Sequence, residues 1–126
     1  MIPNAIAEEV ALIKATTGLA VEAHRNGDGY VHVVIERYAL PKGYSKPGTR
    51  LLVKLPASYP NGSPDMFWTD ADLRLASGGF PEKARPEPVG GETWLRFSWH
   101  PKGWNPGRSN LATYLEFVEH RIRMVR

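Results

Sequence analysis

The chain has 126 residues, 42% of them hydrophobic and 23% charged, which is the size and composition of one globular domain. Such a domain buries roughly two-thirds of its unfolded surface, so its core needs no covalent staples. It contains no cysteine, which excludes disulfides, cysteine-ligated zinc, iron–sulfur clusters and every thiol or thioester mechanism. Sixteen Lys and Arg against thirteen Asp and Glu give a net charge of +3, too mild a surplus for a dedicated nucleic-acid binder. The first ten residues, MIPNAIAEEV, lack the basic and apolar regions of a secretory signal. No apolar run approaches the ~20 residues of a membrane span. The expected location is therefore the cytoplasm, with neither nucleic acid nor membrane as partner.

Ile6, Val10 and Ile13 recur at helical spacing among Ala, Glu and Lys, which predicts a short amphipathic helix with Asn4 as N-cap, running to about Thr16 and ended by Gly18. Leu19 to His24 then leads into Asn26-Gly27-Asp28-Gly29, a pair of dipeptides that favour positive φ and turn a hairpin. Tyr30 to Leu40 reads as a long strand, with Val31, Val33 and Ile35 on one face and His32, Val34, Glu36 and Tyr38 on the other. After the loop Pro41 to Gly48 comes a third strand, Arg50 to Leu55, closed by Pro56, and after Tyr59 to Pro64 a fourth, Asp65 to Trp68.

From Asp70 to Glu92 the pattern dissolves into Pro, Gly and charge, with Leu73-Arg74-Leu75 as the one short candidate strand. Regular structure resumes with Thr93 to Trp99. Leu111, Tyr114, Leu115, Val118, Ile122 and Val125 then form an apolar stripe that predicts a C-terminal amphipathic helix with Ser109 as N-cap. The expected architecture is a single α+β domain over 1–126: an N-terminal helix, a four-strand antiparallel meander, a long irregular segment and a C-terminal helix.

That element order resembles the ubiquitin-conjugating-enzyme (UBC) fold, and short motifs agree with it. Tyr59-Pro60 followed by Pro64 and Phe67-Trp68 resembles the Tyr-Pro-x-x-Pro-Pro passage between the third and fourth strands of that fold, and Trp104-Asn105-Pro106 its Trp-x-Pro. Four pieces in order resemble the prokaryotic UBC-like family E: Leu40-Pro41-x-Gly43-Tyr44, Tyr59-Pro60-x-x-x-Pro64-Asp65-Met66-Phe67-Trp68, Trp94-x-x-Phe97-Ser98-x-His100, and Trp104-x-Pro106-Gly107 with Leu111 and Tyr114-Leu115. The resemblance implies a bacterial ubiquitin-like modification system, in which such proteins work beside a ThiF-type activating enzyme, a ubiquitin-like protein and often a JAB-type metalloprotease, with antiphage defence as one setting.

A standard conjugating enzyme carries the ubiquitin C-terminus as a thioester on a cysteine after a His-Pro-Asn motif, and here that cysteine is missing. Aligning Trp104-x-Pro106 and Gly91 with the family pattern puts Trp94 near the cysteine position and Phe80-Pro81-Glu82 where His-Pro-Asn would be. A second register takes His100-Pro101-Lys102 as the motif and places the nucleophile near Arg108 to Asn110, but leaves it no preceding strand. The candidates for chemistry are Ser98 and His100: two apart on a strand, they share a face with Cα atoms roughly 6.6 Å apart, so the imidazole can serve as the base that a serine hydroxyl requires. The plainer alternative is that Ser98 bonds nearby backbone while His100 anchors the Trp104 loop.

Trp94, Trp104 and Asn105 are candidate binding residues beside this site, although two or three of the four tryptophans are expected in packing. On the resemblance alone, the exposed face of the first helix, with Glu8, Glu9 and Lys14, is where an activating enzyme would dock. Both glutamates also suit the helix N-terminus. Asp70-Ala71-Asp72 reads as a solvated turn before it reads as a cation site, the four histidines show no ligand spacing, and no metal or other cofactor is assigned. Two functions remain open: a non-cysteine conjugating-enzyme-like protein that receives or positions a ubiquitin-like protein, and a catalytically inactive UBC-fold scaffold that binds the ubiquitin-like protein or its activating enzyme. An unrelated basic adaptor is a third.

Overall fold

The computed structural model describes residues 2–126. Helix α1 spans Asn4–Thr17 and buries Ile6, Val10 and Ile13. Its N-cap is Pro3, with no side-chain cap, so Asn4 is the first helical residue and not the cap expected of it. Glu8 and Glu9 consequently lie past the first turn, which holds no acidic residue. Gly18 ends the helix at φ 71°, its N–H donating to the Lys14 carbonyl at 2.9 Å, the left-handed stop that glycine supplies at least cost.

Six strands follow in one antiparallel sheet: β1 (Val21–Arg25), β2 (Val31–Ala39), β3 (Gly48–Leu55), β4 (Phe67–Asp70), β5 (Ala84–Val89) and β6 (Glu92–Phe97), in the spatial order β1-β2-β3-β4-β6-β5. The expected meander is β1 to β4, and the β5–β6 hairpin extends it. Strand β5 lies inside the segment expected to be irregular. Its Pro86 and Pro88 break a central-strand pattern, but prolines are tolerated on an edge strand, and β5 is the sheet edge. Leu75 makes only an isolated bridge to Tyr44 instead of a strand.

In β2 the pairing moves from Ile35↔Leu51 to Tyr38↔Thr49, three residues against two. This bulge turns Tyr38 onto the face of Ile35, where it packs against the core, and so corrects the outward position that strict alternation gives it. Helix α2 spans Leu111–Arg123. Its N-cap is Asn110, not Ser109: the Asn110 side chain accepts from Thr113 N–H at 3.0 Å and the Thr113 hydroxyl accepts from Asn110 N–H at 2.8 Å, a reciprocal capping box.

Both helices cover one face of the sheet. Ile6, Val10 and Ile13 from α1 and Leu111, Tyr114, Val118 and Ile122 from α2 share a core with Val31, Val33, Ile35, Leu51, Val53, Phe67, Leu95 and Phe97. Phe67 and Phe97, paired across β4 and β6, stack at 4.7 Å in its middle. Each fully buried large side chain there contributes about 1.5–3 kcal/mol. The other face carries a smaller cluster, Leu52, Trp68, Val89 and Trp94. No helix among the described residues is long and apolar enough to cross a membrane.

Candidate functional site

Three segments converge at one end of the sheet on its helical side: the loop from Pro56 to Met66, the chain leaving β6, and the loop before α2. Glu9 joins two of them. Its Oε1 accepts the Tyr59 hydroxyl at 2.6 Å and the Leu111 N–H at 2.8 Å, so one carboxylate fixes the loop and satisfies an otherwise orphaned donor at the start of α2. Burial, reinforced by this carboxylate, pushes the Tyr59 hydroxyl far above the usual phenol range. Trp104 Nε1 donates to the Pro60 carbonyl at 2.8 Å, and its ring lies 6.0 Å from Tyr59 and 6.4 Å from Tyr114. Asn105 is exposed and organises the turn before α2: its Oδ1 accepts from Gly107 N–H at 3.0 Å and its carbonyl from Ser109 N–H at 2.6 Å.

Met66 sits at φ 61°, a left-handed conformation costing about 1–2 kcal/mol for a residue with a Cβ. It is held there from both sides, its N–H donating to the Trp99 carbonyl at 3.2 Å and its carbonyl accepting the Tyr114 hydroxyl at 2.5 Å. The bend leaves Asp65 at the surface beside His100, with Asp65 Oδ1 2.6 Å from His100 Nδ1. A carboxylate at Nδ1 fixes that nitrogen as the donor and leaves Nε2 as the basic nitrogen of the neutral ring.

Strand β6 ends at Phe97, where the Trp99 N–H turns back to the Phe97 carbonyl at 2.9 Å. Ser98 and His100 therefore lie beyond the strand, and the shared strand face expected for them does not form. Ser98 is half-buried, its N–H bonded to the Lys83 carbonyl at 2.9 Å, while His100 is exposed. Among the described residues no hydrogen bond joins the two side chains; the imidazole is engaged by Asp65. Trp104 and Asn105 share this end of the molecule. Trp94 does not: it is buried on the opposite face of the sheet, with the Arg50 guanidinium 4.3 Å from its ring. Glu8 and Lys14 are exposed on α1, whereas the Glu9 carboxylate is turned inward.

Two residues of the site were not singled out for it by the sequence. Asp65 stands inside Pro64-Asp65-Met66 and meets His100, 35 positions further along, only because the chain folds back. Arg121 reads as a charge complementing the end of α2, yet it is fully buried. Its Nη2 donates to the carbonyls of Glu82 and Arg126 at 2.7 Å each, and its guanidinium carbon lies 4.9 Å from the Trp99 ring and 5.3 Å from Phe97. It thereby braces the strand exit that bears Ser98 and His100, and burial lowers its affinity for the proton. Its position seven residues after Tyr114, on the apolar stripe, was the available clue.

Across the sheet, Arg50 Nε donates to Asp70 at 2.6 Å and a second guanidinium nitrogen to Glu92, while Lys46 Nζ bonds Asp70 at 2.7 Å and Asp72 at 2.9 Å. The two aspartates of Asp70-Ala71-Asp72 are thus occupied by cations of the chain itself. Burial alone would raise the Asp70 carboxyl, but the hydrogen bonds from Lys46 and Arg50 outweigh it and hold the group below its usual range.

The sequence matches the family model for prokaryotic E2 family E over residues 11–124, nearly the whole chain. The chain belongs to that family. No curated protein and no solved structure matches it significantly. Membership makes this chain a UBC-like component of a bacterial ubiquitin-like conjugation system, with a ubiquitin-like protein and an activating enzyme as the general partners of such a family. Within the family fold, the Asp65–His100 pair links the loop before β4 to the chain leaving β6, the Glu9–Tyr59–Trp104 clasp ties α1 and the loop before α2 to that same loop, and no cysteine is present to carry a thioester.

Proposed function

We propose that this family E protein positions a ubiquitin-like protein for transfer without accepting it covalently. The observation behind the reading is that β6 ends at Phe97, so that among the described residues no hydrogen bond joins the Ser98 hydroxyl to the His100 imidazole, in a chain that has no cysteine. An unassisted serine hydroxyl is a poor acyl acceptor. The ubiquitin-like protein rests on the Trp104–Asn105 loop and the Asp65–His100 rim. A ThiF-type activating enzyme meets α1 at Glu8 and at Leu12, which is 60% exposed. A JAB-type metalloprotease and a role in antiphage defence complete the setting.

The test is incubation with the cognate activating enzyme, the ubiquitin-like protein and ATP, followed by intact-mass spectrometry and a binding measurement. Stoichiometric binding with no hydroxylamine-sensitive adduct is expected. A second reading draws on the Asp65–His100 geometry itself: a carboxylate-oriented imidazole is the arrangement of a general base, and an ester adduct lost in Ser98→Ala or His100→Asn would establish a non-cysteine transferase instead.

A further inference from the structure

The two edges of the sheet are built differently. On β5, Ser98 N–H donates to the Lys83 carbonyl, so alternation makes Arg85 and Glu87 bond inward to β6 and points the backbone groups of residues 84, 86 and 88 outward. Pro86 and Pro88 have no N–H, and that of Ala84 is taken by the Pro81 carbonyl at 3.1 Å. This edge therefore offers a neighbouring strand no donor.

On β1 the Glu36 N–H bonds the Ala20 carbonyl and the Asn26 N–H the Tyr30 carbonyl, so Glu22 and His24 bond inward to β2 while Val21 and Ala23 present N–H and C=O outward. Those groups have no partner among the described residues, and this edge has no proline, lysine or bulge. Beside it lies an open groove of about 490 Å³, lined by Ala7, Val10, Ala11 and Lys14 of α1 and by residues 21–24 of β1.

We propose that the β1 edge is a homodimer interface, in which β1 of a second copy pairs antiparallel about a two-fold axis at Ala23. The cross-strand pairing on the exposed face selects that occupant. With Ala23 opposite Ala23 of the second copy, the outward backbone groups of the two alanines satisfy each other, and Glu22 of each copy faces His24 of the other on the exposed face of the sheet. The exposed face of the strand is thus complementary to its own reverse, Arg25 falls opposite Val21 on the other face, and the small side chains at the axis and along α1 admit the close approach.

Analytical ultracentrifugation of the full chain tests this: the mass is expected to rise with concentration from 14.1 kDa toward twice that value. Ala23→Pro removes an outward N–H that β2 does not use, and should abolish association while leaving the circular dichroism spectrum and melting transition those of a folded protein. Should that variant fail to fold, the charge variants decide. Glu22→Lys and His24→Glu should each weaken self-association about tenfold, and mixing the two should restore it, because in the mixed dimer the introduced lysine faces the introduced glutamate and the second cross-strand pair keeps its original Glu22 and His24. A chain that stays monomeric up to its solubility limit overturns the proposal. So does a dimer indifferent to Ala23→Pro, or one whose charge variants do not rescue each other, either of which places the interface elsewhere.

Discussion

The Glu9 carboxylate accepts a 2.8 Å hydrogen bond from the backbone N–H of Leu111, 102 residues further along the chain. The same oxygen accepts the Tyr59 hydroxyl at 2.6 Å, so α1, the loop before β4 and the first residue of α2 meet at one atom. Glu9→Ala leaves both donors unpaired and should cost about 2–3 kcal/mol in urea denaturation. Glu9→Gln, which keeps an acceptor without the charge, should cost less than half as much. Equal losses for the two variants would show that packing, not hydrogen bonding, makes this junction.

Gly43 adopts φ 110°, and a Cβ there would overlap Val125 Cγ1. Gly43→Ala therefore combines a disfavoured backbone with a clash against the chain following α2, and should destabilise by about 2 kcal/mol or more. Pairing it with Val125→Ala should recover the steric share. A thermal melt of the three variants checks the coupling.

Asp70 binds both Lys46 and Arg50, and its carboxyl titrates below the ordinary 3.8. Because the folded-state pKa is depressed, its contribution is complete above the unfolded value and is lost as pH falls through the folded one. Stability should thus decline on acidification below about pH 4. Asp70→Asn should be less stable at neutral pH and show a shallower acid decline. Parallel acid limbs for the two proteins would assign the titration to other carboxylates.

The Asp65–His100 pair is exposed on both sides, at 61% for the histidine and 53% for the aspartate. Exposed ion pairs contribute at most about 1 kcal/mol, so Asp65→Asn and His100→Asn should melt within a few degrees of the parent protein. Any larger effect on binding or transfer of the ubiquitin-like protein is then functional. Under the positioning reading His100→Asn leaves affinity within about threefold, since a rim hydrogen bond is worth little.

The elements governed by neighbours in sequence were legible: the α2 stripe from Leu111 to Ile122, the Asn26 to Gly29 turn, and the Gly18 stop each depend on a few adjacent residues. What escaped depended on the third dimension. Pro86 and Pro88 look like breakers until β5 is known to be an edge. Tyr38 changes face through a bulge that simple alternation does not register. Ser98 and His100 were read as strand neighbours, but β6 ends at Phe97 and the imidazole turns to Asp65, a partner no local spacing announces. Motif order reached the family where periodicity reached only the class, since Tyr59-Pro60, Pro64 to Trp68 and Trp104 to Gly107 sit in loops and strand starts whose shape composition does not encode.

The prolines of β5 also limit what this protein can build. Chains polymerise through their sheets when each copy offers a donor edge at both ends, because every addition then exposes a fresh template. Here Pro86 and Pro88 remove one of the two ends. Strand pairing through this fold can close on itself once, but propagation across β5 would have to rest on its carbonyls alone, so the amino acids that blurred β5 in the sequence also weaken the sheet's route into fibres.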